Sequence, residues 1–360
     1  MSKTIRVDYV WLDGYTPIQN MRSKIRILEV DKLPTSAKQL PEWSFDGSST
    51  QQAPGDESDL ILKPVKMISS PLQDKDDEWE CYIALCEVML PNGKPHPSNT
   101  RNELAKTKKN EFLFSAEQEY VLLDARTVRP LGWPMKEGEI VFPNPQGRYY
   151  CGAGDFVKGR NFVEKHTSFS HRAGLHIQGT NAEVMLSQWE YQLGVLPAVD
   201  LADEMILSRY LMDRLSEYFN FIITYEPKPI QGDWNGSGCH INFSTKTMRE
   251  DGYDESYSNS VLEQLEKDHT EHIKVCGPGT ERRLTGDHET CHINKFKSGI
   301  GDRSASIRIP ASAVKDNFYM EDRRPSANCD PYEVLLSLTN SLNTVHKNLN
   351  SLKGQEVVVA

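Results

Sequence analysis

The 360 residues contain no apolar run approaching the ~20 needed to cross a bilayer, so no membrane partner is expected. Positive charge is in deficit: 41 Lys and Arg face 51 Asp and Glu, a formal charge of -10. That balance argues against nucleic acid as a partner and reads as a solvated acidic surface. The seven cysteines are an odd number, with no CxxC pair and no zinc-finger spacing. Cys81, Cys86 and Cys239 sit in apolar, strand-like segments, as small hydrophobes do in a reducing compartment. The opening Met-Ser-Lys-Thr-Ile-Arg is not patterned as a secretory signal, and the expectation is a cytoplasmic protein. There is no GxxxxGKS/T and no GxGxxG, which removes the P-loop and the dinucleotide fingerprint. No fixed-period repeat or low-complexity tail is present.

What the chain does have is a polar code written into strand-like segments. Glu117 and Glu119, then His240, Asn242 and Ser244, then Ser306 and Arg308, then Glu321 and Arg323 fall two residues apart. Side chains two apart on a strand share one face. The opposite face is apolar in the first two segments, with Phe112, Phe114 and Tyr120 in one and Cys239, Ile241 and Phe243 in the other. Charged groups line a buried sheet surface only when paired, metal-bound or handling a charged ligand, so these strands point to one polar cavity walled by sheet.

The first ninety residues read as β-rich, with strands expected over 5–13, 21–28 and 79–90. Three prolines within 91–97 mark a domain boundary, dividing the chain into 1–95 and 96–360. Beyond it, helices are expected over 99–109, 160–173, 200–218, 258–275 and 331–352. Strands centred on 118, 178, 190, 224, 241, 307 and 322 lie between them. The order is too irregular for a doubly wound sheet, so the fold class is α+β.

Ala116-Glu-Gln-Glu-Tyr120 sets two carboxylates side by side, where a hard cation such as Mg²⁺ or Mn²⁺ would relieve their repulsion; the alternative is a solvated strand face. Glu183 and Glu190 join them if a hairpin turns near Leu186 and Ser187. The glycine-studded run over 228–240 either lets backbone approach a ligand or simply turns the chain before His240. Between 282 and 324 six arginines gather, suited to carboxylates and phosphates or to a salt-bridge network in an acidic protein. The functional reading joins the halves: carboxylates hold metals, and metals with arginines hold phosphates, as phosphoryl transfer requires.

At these residues the chain resembles eukaryotic (class II) glutamine synthetase along nearly its whole length. The resemblance is carried by Trp43-Ser-Phe-Asp-Gly-Ser-Ser-Thr50, Glu117-Gln-Glu119, segment 146–152, segment 181–190, segment 228–240, Arg283-Leu-Thr-Gly-Asp-His-Glu-Thr290, Arg303-Ser-Ala-Ser-Ile-Arg-Ile-Pro310 and Glu321-Asp-Arg-Arg-Pro-Ser-Ala-Asn-Cys-Asp-Pro331. It implies ATP-dependent ligation of ammonia to L-glutamate through γ-glutamyl phosphate. It also implies a β-grasp domain before a catalytic domain of the glutamine synthetase/guanidino kinase type, with a curved antiparallel sheet flanked by helices. Glu119, Glu183 and Glu190 match one metal's ligands, and Glu117, His240 and Glu321 another's. Arg283, Arg303 and Arg323, with Asn235 and the Gly236 backbone, match the glutamate-binding groups. Glu117, Asn242, Ser244, Arg303, Arg308 and Tyr319 match or neighbour the nucleotide positions, with Arg308 and Arg323 on the developing charge. Asp46, Glu183 and Glu289 match the ammonium pocket, Glu289 as the flap residue that excludes water and Asp46 as the group that binds ammonium and takes its proton. The resemblance further implies a homodecamer of two pentameric rings, with Asp46 supplied across subunits. Departures from the family pattern are Leu113, Arg148, Leu186, Asp287 and Ala311, and the chain begins without most of the family's helical extension. None of the five replaces a metal ligand. A non-catalytic structural relative should have lost such ligands, and a ligase for a bulkier amine should have opened the pocket around Asp46 and Glu289.

Overall fold

In the computed structural model of the protein, the structure describes residues 2–72, 79–107, 111–145, 147–315 and 318–356. Gln146 of segment 146–152 and residues 108–109 of the first expected helix lie outside the described residues. The first sheet runs β2-β1-β5-β4-β3, from β1 (Lys3–Leu12), β2 (Met21–Val30), β3 (Trp43–Asp46), β4 (Asp59–Ser69) and β5 (Glu80–Met89). β1 and β5 are parallel, and the other pairs are antiparallel. Sequence reading missed β3 and β4. Both sit among turn residues, and β4 contains Pro64, where its register on β5 shifts, as a proline with no ladder donor demands.

Parity explains why β5 reads as a continuous apolar run. Tyr82, Ala84, Cys86 and Val88 pack into this sheet's own core with Ile5, Val7, Tyr9 and Trp11. Ile83 and Leu85 face the other way and join the large core of the rest of the chain. Partly buried ion pairs reinforce that seam: Arg101 reaches Asp203 at 2.8 Å and Glu87 at 3.0 Å.

After α1 (Arg101–Ala105) the chain enters β6 (Leu113–Asp124), the central strand of the second sheet. There follow β7 (Arg129–Pro130), the small hairpin β8 (Met135–Lys136) and β9 (Glu139–Ile140), α2 (Arg160–Arg172), β10 (Ile177–Ala182), β11 (Gln188–Leu196), α3 (Ala198–Phe219), β12 (Phe221–Thr224) and β13 (Cys239–Ser244). The chain ends with α4 (Lys246–Asp251), α5 (Glu255–Lys267), α6 (His269–Val275), β14 (Ser298–Ile300), β15 (Ile307–Ile309), β16 (Met320–Asp322) and α7 (Pro331–Glu356). The sheet order is β10-β11-β6-β13-β16-β15-β14, with β7 and β12 also on β6; only β14 and β15 pair in parallel.

One face of this sheet is the core. Phe114, Ala116 and Tyr120 of β6, with Ile241, Phe243, Ile307 and Met320, pack with residues of α2, α3 and α7. α3 is buried on nearly every side from Leu201 to Met212, and Asn220 ends it in the left-handed region at φ 57°, returning its N–H to Ser216. Pro331 opens α7, where a missing N–H is harmless. The single helix expected over 258–275 is two: Asp268 interrupts it, its side chain accepting from Gln264 at 2.7 Å and from Ser341 of α7 at 2.6 Å. No helix among the described residues is long and apolar enough to cross a membrane.

Candidate active site

Strand pairing, which alternation alone does not reveal, assembles the site on the other face. Glu119 stands opposite Glu190, Glu117 opposite His240, and Glu321 opposite both Asn242 and Arg308. A hairpin with Ser187 in the left-handed region (φ 75°) joins β10 to β11 and brings Glu183 and Glu190 to one cavity. That cavity holds about 370 Å³, and Arg283, Arg303, Arg308 and Arg323 face the carboxylates across it.

His240 lies at the centre. Its Nδ1 is 3.5 Å from Glu117 and 3.4 Å from Glu321, and its Nε2 is 4.0 Å from Glu119. Nδ1 is buried with no hydrogen-bond partner among the described residues, and burial, followed by the nearby Arg323 charge, holds the imidazole well below its ordinary pKa. The ring is therefore neutral, with a lone pair available. Glu321 is 1% exposed and bridges two cations, accepting from Arg308 at 2.8 Å and from Arg323 at 2.5 Å.

The carboxylates answer to the same burial. Glu119 is pushed up to about 7 by burial, which the Gly238 N–H only partly offsets. Glu183 rises to about 8 through burial and then Glu119, and Glu190 to about 10 through burial and then its glutamate neighbours. Groups so placed hold protons until a cation relieves them.

Two of the glycines over 228–240, Gly236 and Gly238, are needed for close approach. A Cβ on Gly236 would stand 2.4 Å from the Pro227 carbonyl oxygen. One on Gly238 would stand 2.7 Å from His240 Nε2 and 2.9 Å from Arg283 Nη2. Gly238 also donates its N–H to Glu119 at 2.9 Å. Arg283 is anchored on the carbonyls of Arg323 (2.7 Å) and Pro325 (2.9 Å). Beside it, His288 and Glu289 are both left-handed (φ 52° and 61°), an uncommon conformation for non-glycine residues, and Glu289 Oε2 is 4.0 Å from Arg323.

Thirteen of the residues singled out from sequence line this cavity: Glu117, Glu119, Glu183, Glu190, Asn235, Gly236, His240, Arg283, Glu289, Arg303, Arg308 and Arg323, with Gly238 from the glycine run. The other five site residues do not, and the first of them, Glu321, is held by Arg308 and Arg323. Asn242 donates to Glu117 at 2.7 Å from behind, and Ser244 accepts from Arg249 at 2.9 Å. Tyr319 neighbours Glu117 and Glu321, its phenol raised first by burial and then by their charge. Asp46 is exposed on the first sheet, its carboxyl held down to about 2 by hydrogen bonds from Ser48 and Ser49.

Sequence reading missed Gln188, which donates to Glu119 at 3.0 Å and to the Gly236 carbonyl at 2.9 Å. It also missed Gln192, bonded to Glu190 and to Asn181, and Tyr150 on the rim. Both glutamines lie two residues from Glu190, so the two-residue rule already contained them.

Leu113, Arg148, Leu186, Asp287 and Ala311 are absent from the lining. Leu186 is buried in a satellite cluster with Trp133 and Trp234, and its carbonyl accepts from Trp133 at 3.1 Å.

The donor set fits a divalent cation. Glu117, His240 and Glu321 offer ligand atoms within 4.8 Å of one another, and so do Glu119, Glu190 and His240. Glu183, expected with Glu119 and Glu190, lines the same cavity but stands outside both triplets. Carboxylate oxygens with one imidazole suit Mg²⁺ or Mn²⁺. The sheet and its cavity thus define a class of site whose carboxylates and imidazole suit divalent cations and whose arginines suit anionic ligands. Residues 3–91 match the family described as glutamine synthetase, beta-Grasp domain, and residues 98–349 match glutamine synthetase, catalytic domain. The chain is 45% identical over 344 residues to a glutamine synthetase of Yarrowia lipolytica, covering 94% of this chain and 90% of that protein. It is 46% identical over 336 residues to one of Saccharomyces cerevisiae, covering 92% and 87%. A cryo-EM structure of Plasmodium falciparum glutamine synthetase shares the fold, with a TM-score of 0.72 at 17% identity over 96% of this chain and 72% of that one. The chain belongs to the glutamine synthetase family.

Proposed function

We propose that this protein is a glutamate–ammonia ligase, converting L-glutamate, ammonia and ATP to L-glutamine, ADP and phosphate through γ-glutamyl phosphate. The observation that carries the reading is the register of β6, β11, β13 and β16, which sets Glu117, Glu119, Glu190, His240 and Glu321 on one wall facing four arginines. A carboxylate resists attack by ammonia because its leaving group would be oxide, and phosphorylation replaces that leaving group. The barrier is repulsion between two anions, which is the charge problem this cavity answers.

Glu117, His240 and Glu321 would hold one divalent cation and Glu119 and Glu190, beside Glu183, the other; Mg²⁺ and Mn²⁺ both suit. The chemistry such ions supply when bound is neutralisation of charge between the ATP phosphates and the substrate carboxylate. Arg283 and Arg303, with Asn235 and the Gly236 backbone, take glutamate. Arg308 and Arg323, already fixed on Glu321, face the transferring phosphoryl group. Asp46, with its carboxyl near 2, remains an anion throughout and attracts ammonium by charge, being too weak a base to bind its proton firmly. Glu183, on the cavity wall, offers ammonium a second carboxylate once a cation relieves its burial. Glu289 closes the cavity and keeps water from the acyl phosphate.

In this reading the protein works in the cytoplasm, where its cysteines, none of them in a disulfide among the described residues, stay reduced. It assembles as a decamer of two pentameric rings built from a domain at 1–95 and one at 96–360. Asp46 is exposed and away from its own cavity, which supports its delivery to a neighbour's. The test is phosphate release from ATP with glutamate and Mg²⁺, with and without ammonium, alongside glutamine. Ammonium-dependent phosphate matched one-for-one by glutamine is expected. Turnover only with another amine, or none from an assembled ring with either metal, overturns the assignment.

A further inference from the structure

Gln118 lies between Glu117 and Glu119 and therefore points into the core, where it is fully buried. Its amide is held at both ends. Oε1 accepts from Arg209 Nε at 3.0 Å and Nη2 at 2.6 Å, while Nε2 donates to the carbonyls of Ala327 at 3.0 Å and Glu119 at 2.8 Å. Arg209, midway along α3, directs two further donors at the carbonyls of Cys329 (3.0 Å) and Ala327 (3.1 Å). One guanidinium thus joins α3, β6 and the loop that follows β16. That loop is tied to β13 and the residues before it: Cys239 donates its N–H to the Pro325 carbonyl at 2.9 Å, and Ala327 to Ser237 at 3.0 Å.

Each of these Arg209 hydrogen bonds goes to a neutral acceptor. A buried cation hydrogen-bonded only to neutral groups is a poor device for stability, because desolvation is costly and the Asp213 and Asp330 carboxyls and the Tyr225 ring, 5.3 Å away, offset it only through space. What the guanidinium does offer is a rigid planar fork that fixes several acceptors relative to one another. The acceptors it fixes are the Gln118 side chain, between Glu117 and Glu119 on β6, and two carbonyls of the loop that follows Glu321.

The geometry points to Arg209 as a positioning residue for the cation-binding wall, acting through Gln118 and the carbonyls of Ala327 and Cys329. It sets the spacing of Glu117 and Glu119 from His240 and Glu321 without touching the catalytic cavity. This inference rests on the reading of those groups as divalent-cation ligands.

The experiment is Mn²⁺ binding to the assembled protein without substrates, followed by electron paramagnetic resonance, with assembly and secondary structure checked in parallel. Arg209→Met and Gln118→Met should each weaken Mn²⁺ binding about 10–100-fold, as loss of an outer support for metal ligands does. The double variant should be no worse than the worse single, because both act along one path. Arg209→Lys should fall between, its ammonium being unable to span the same acceptors. A residue that served stability alone would lower the melting midpoint and leave Mn²⁺ affinity untouched in the folded protein. Affinity within about twofold of wild type in both single variants, or additive losses in the double, overturns the inference. Should Arg209→Met fail to fold, Gln118→Met decides alone, since it leaves Arg209 on its two carbonyls. Wild-type protein that binds no Mn²⁺ would instead refute the cation reading beneath it.

Discussion

Replacing Gly238 by alanine adds one methyl group at the narrowest point of the site. Its Cβ would stand 2.7 Å from His240 Nε2, 3.0 Å from His240 Cδ2 and 2.9 Å from Arg283 Nη2, where ordinary contact begins at 3.4 Å. The imidazole must therefore retreat by about 0.7 Å, because Arg283 is pinned by two carbonyls and has nowhere to go. Overpacking of this kind costs about 1–3 kcal/mol of stability, which a protein with so large a core survives. The larger effect is on function. His240 belongs to both ligand triplets, and a displacement approaching 1 Å costs about 10²-fold in a site built on positioning. The assay is a Mn²⁺ titration together with phosphate release at saturating metal, and both should fall about 10–100-fold while the oligomer persists. Gly55→Ala is the control, because a Cβ there meets nothing within 4 Å. Wild-type Mn²⁺ affinity and turnover in Gly238→Ala would refute the claim that His240 is held at its working position by close packing.

Glu321→Ala leaves Arg308 and Arg323 beside an empty, nearly inaccessible position, and should destabilise the fold by about 3–5 kcal/mol in urea unfolding. Glu289→Ala should leave ATP binding largely intact while glutamine formation collapses and uncoupled phosphate release rises; glutamine made at the wild-type rate would remove the flap role. The metal-free fold should lose stability as pH rises. Glu119 holds its proton to about pH 7 when folded, against an ordinary 4.5 when unfolded, so its contribution of about 3 kcal/mol is complete below pH 4.5 and is lost as pH climbs through 7. Chelator-treated protein should therefore unfold at lower urea at pH 8 than at pH 5, and Mg²⁺ should restore more stability at the higher pH. Mixed rings of Asp46→Asn and Arg323→Gln subunits should recover activity that neither parent has, and failure of assembled hybrids to do so would place Asp46 outside the neighbour's site.

Two-residue spacing made most of the site legible because a strand enforces it. Alternation gives Glu117 with Glu119, His240, Arg308 and Glu321 with Arg323 a polar face; all but Glu321 line the cavity, and Glu321 is held by two arginines that do. Spacing says which face a side chain takes but not which strand lies beside it, so the pairing of Glu119 with Glu190 and of Glu117 with His240 emerges only with the fold. Ser244 shares the parity of His240 yet serves Arg249 instead, because α4 begins there and covers the end of β13. Arg209 carries no sequence signal at all: it sits in an apolar stretch of α3, ninety-one residues from Gln118. The helix break at Asp268 was hidden for a similar reason, since the acceptor that interrupts the pattern is claimed by Ser341, far along the chain.

β6 divides its residues between two unlike environments by parity alone, and this gives it something like a reading frame. Inserting one residue within the strand would turn over every side chain on one side of it, either delivering Glu117 and Glu119 into the hydrocarbon interior or offering the apolar side chains before them to the substrates. Inserting two would restore the faces but slide the carboxylates about 7 Å along the strand, away from Glu190 and His240. Neither change can be absorbed gradually. Descendants of this chain should accordingly vary in length at the turns around the sheet, while the number of residues between Phe114 and Tyr120 stays fixed for as long as the protein turns over its substrates.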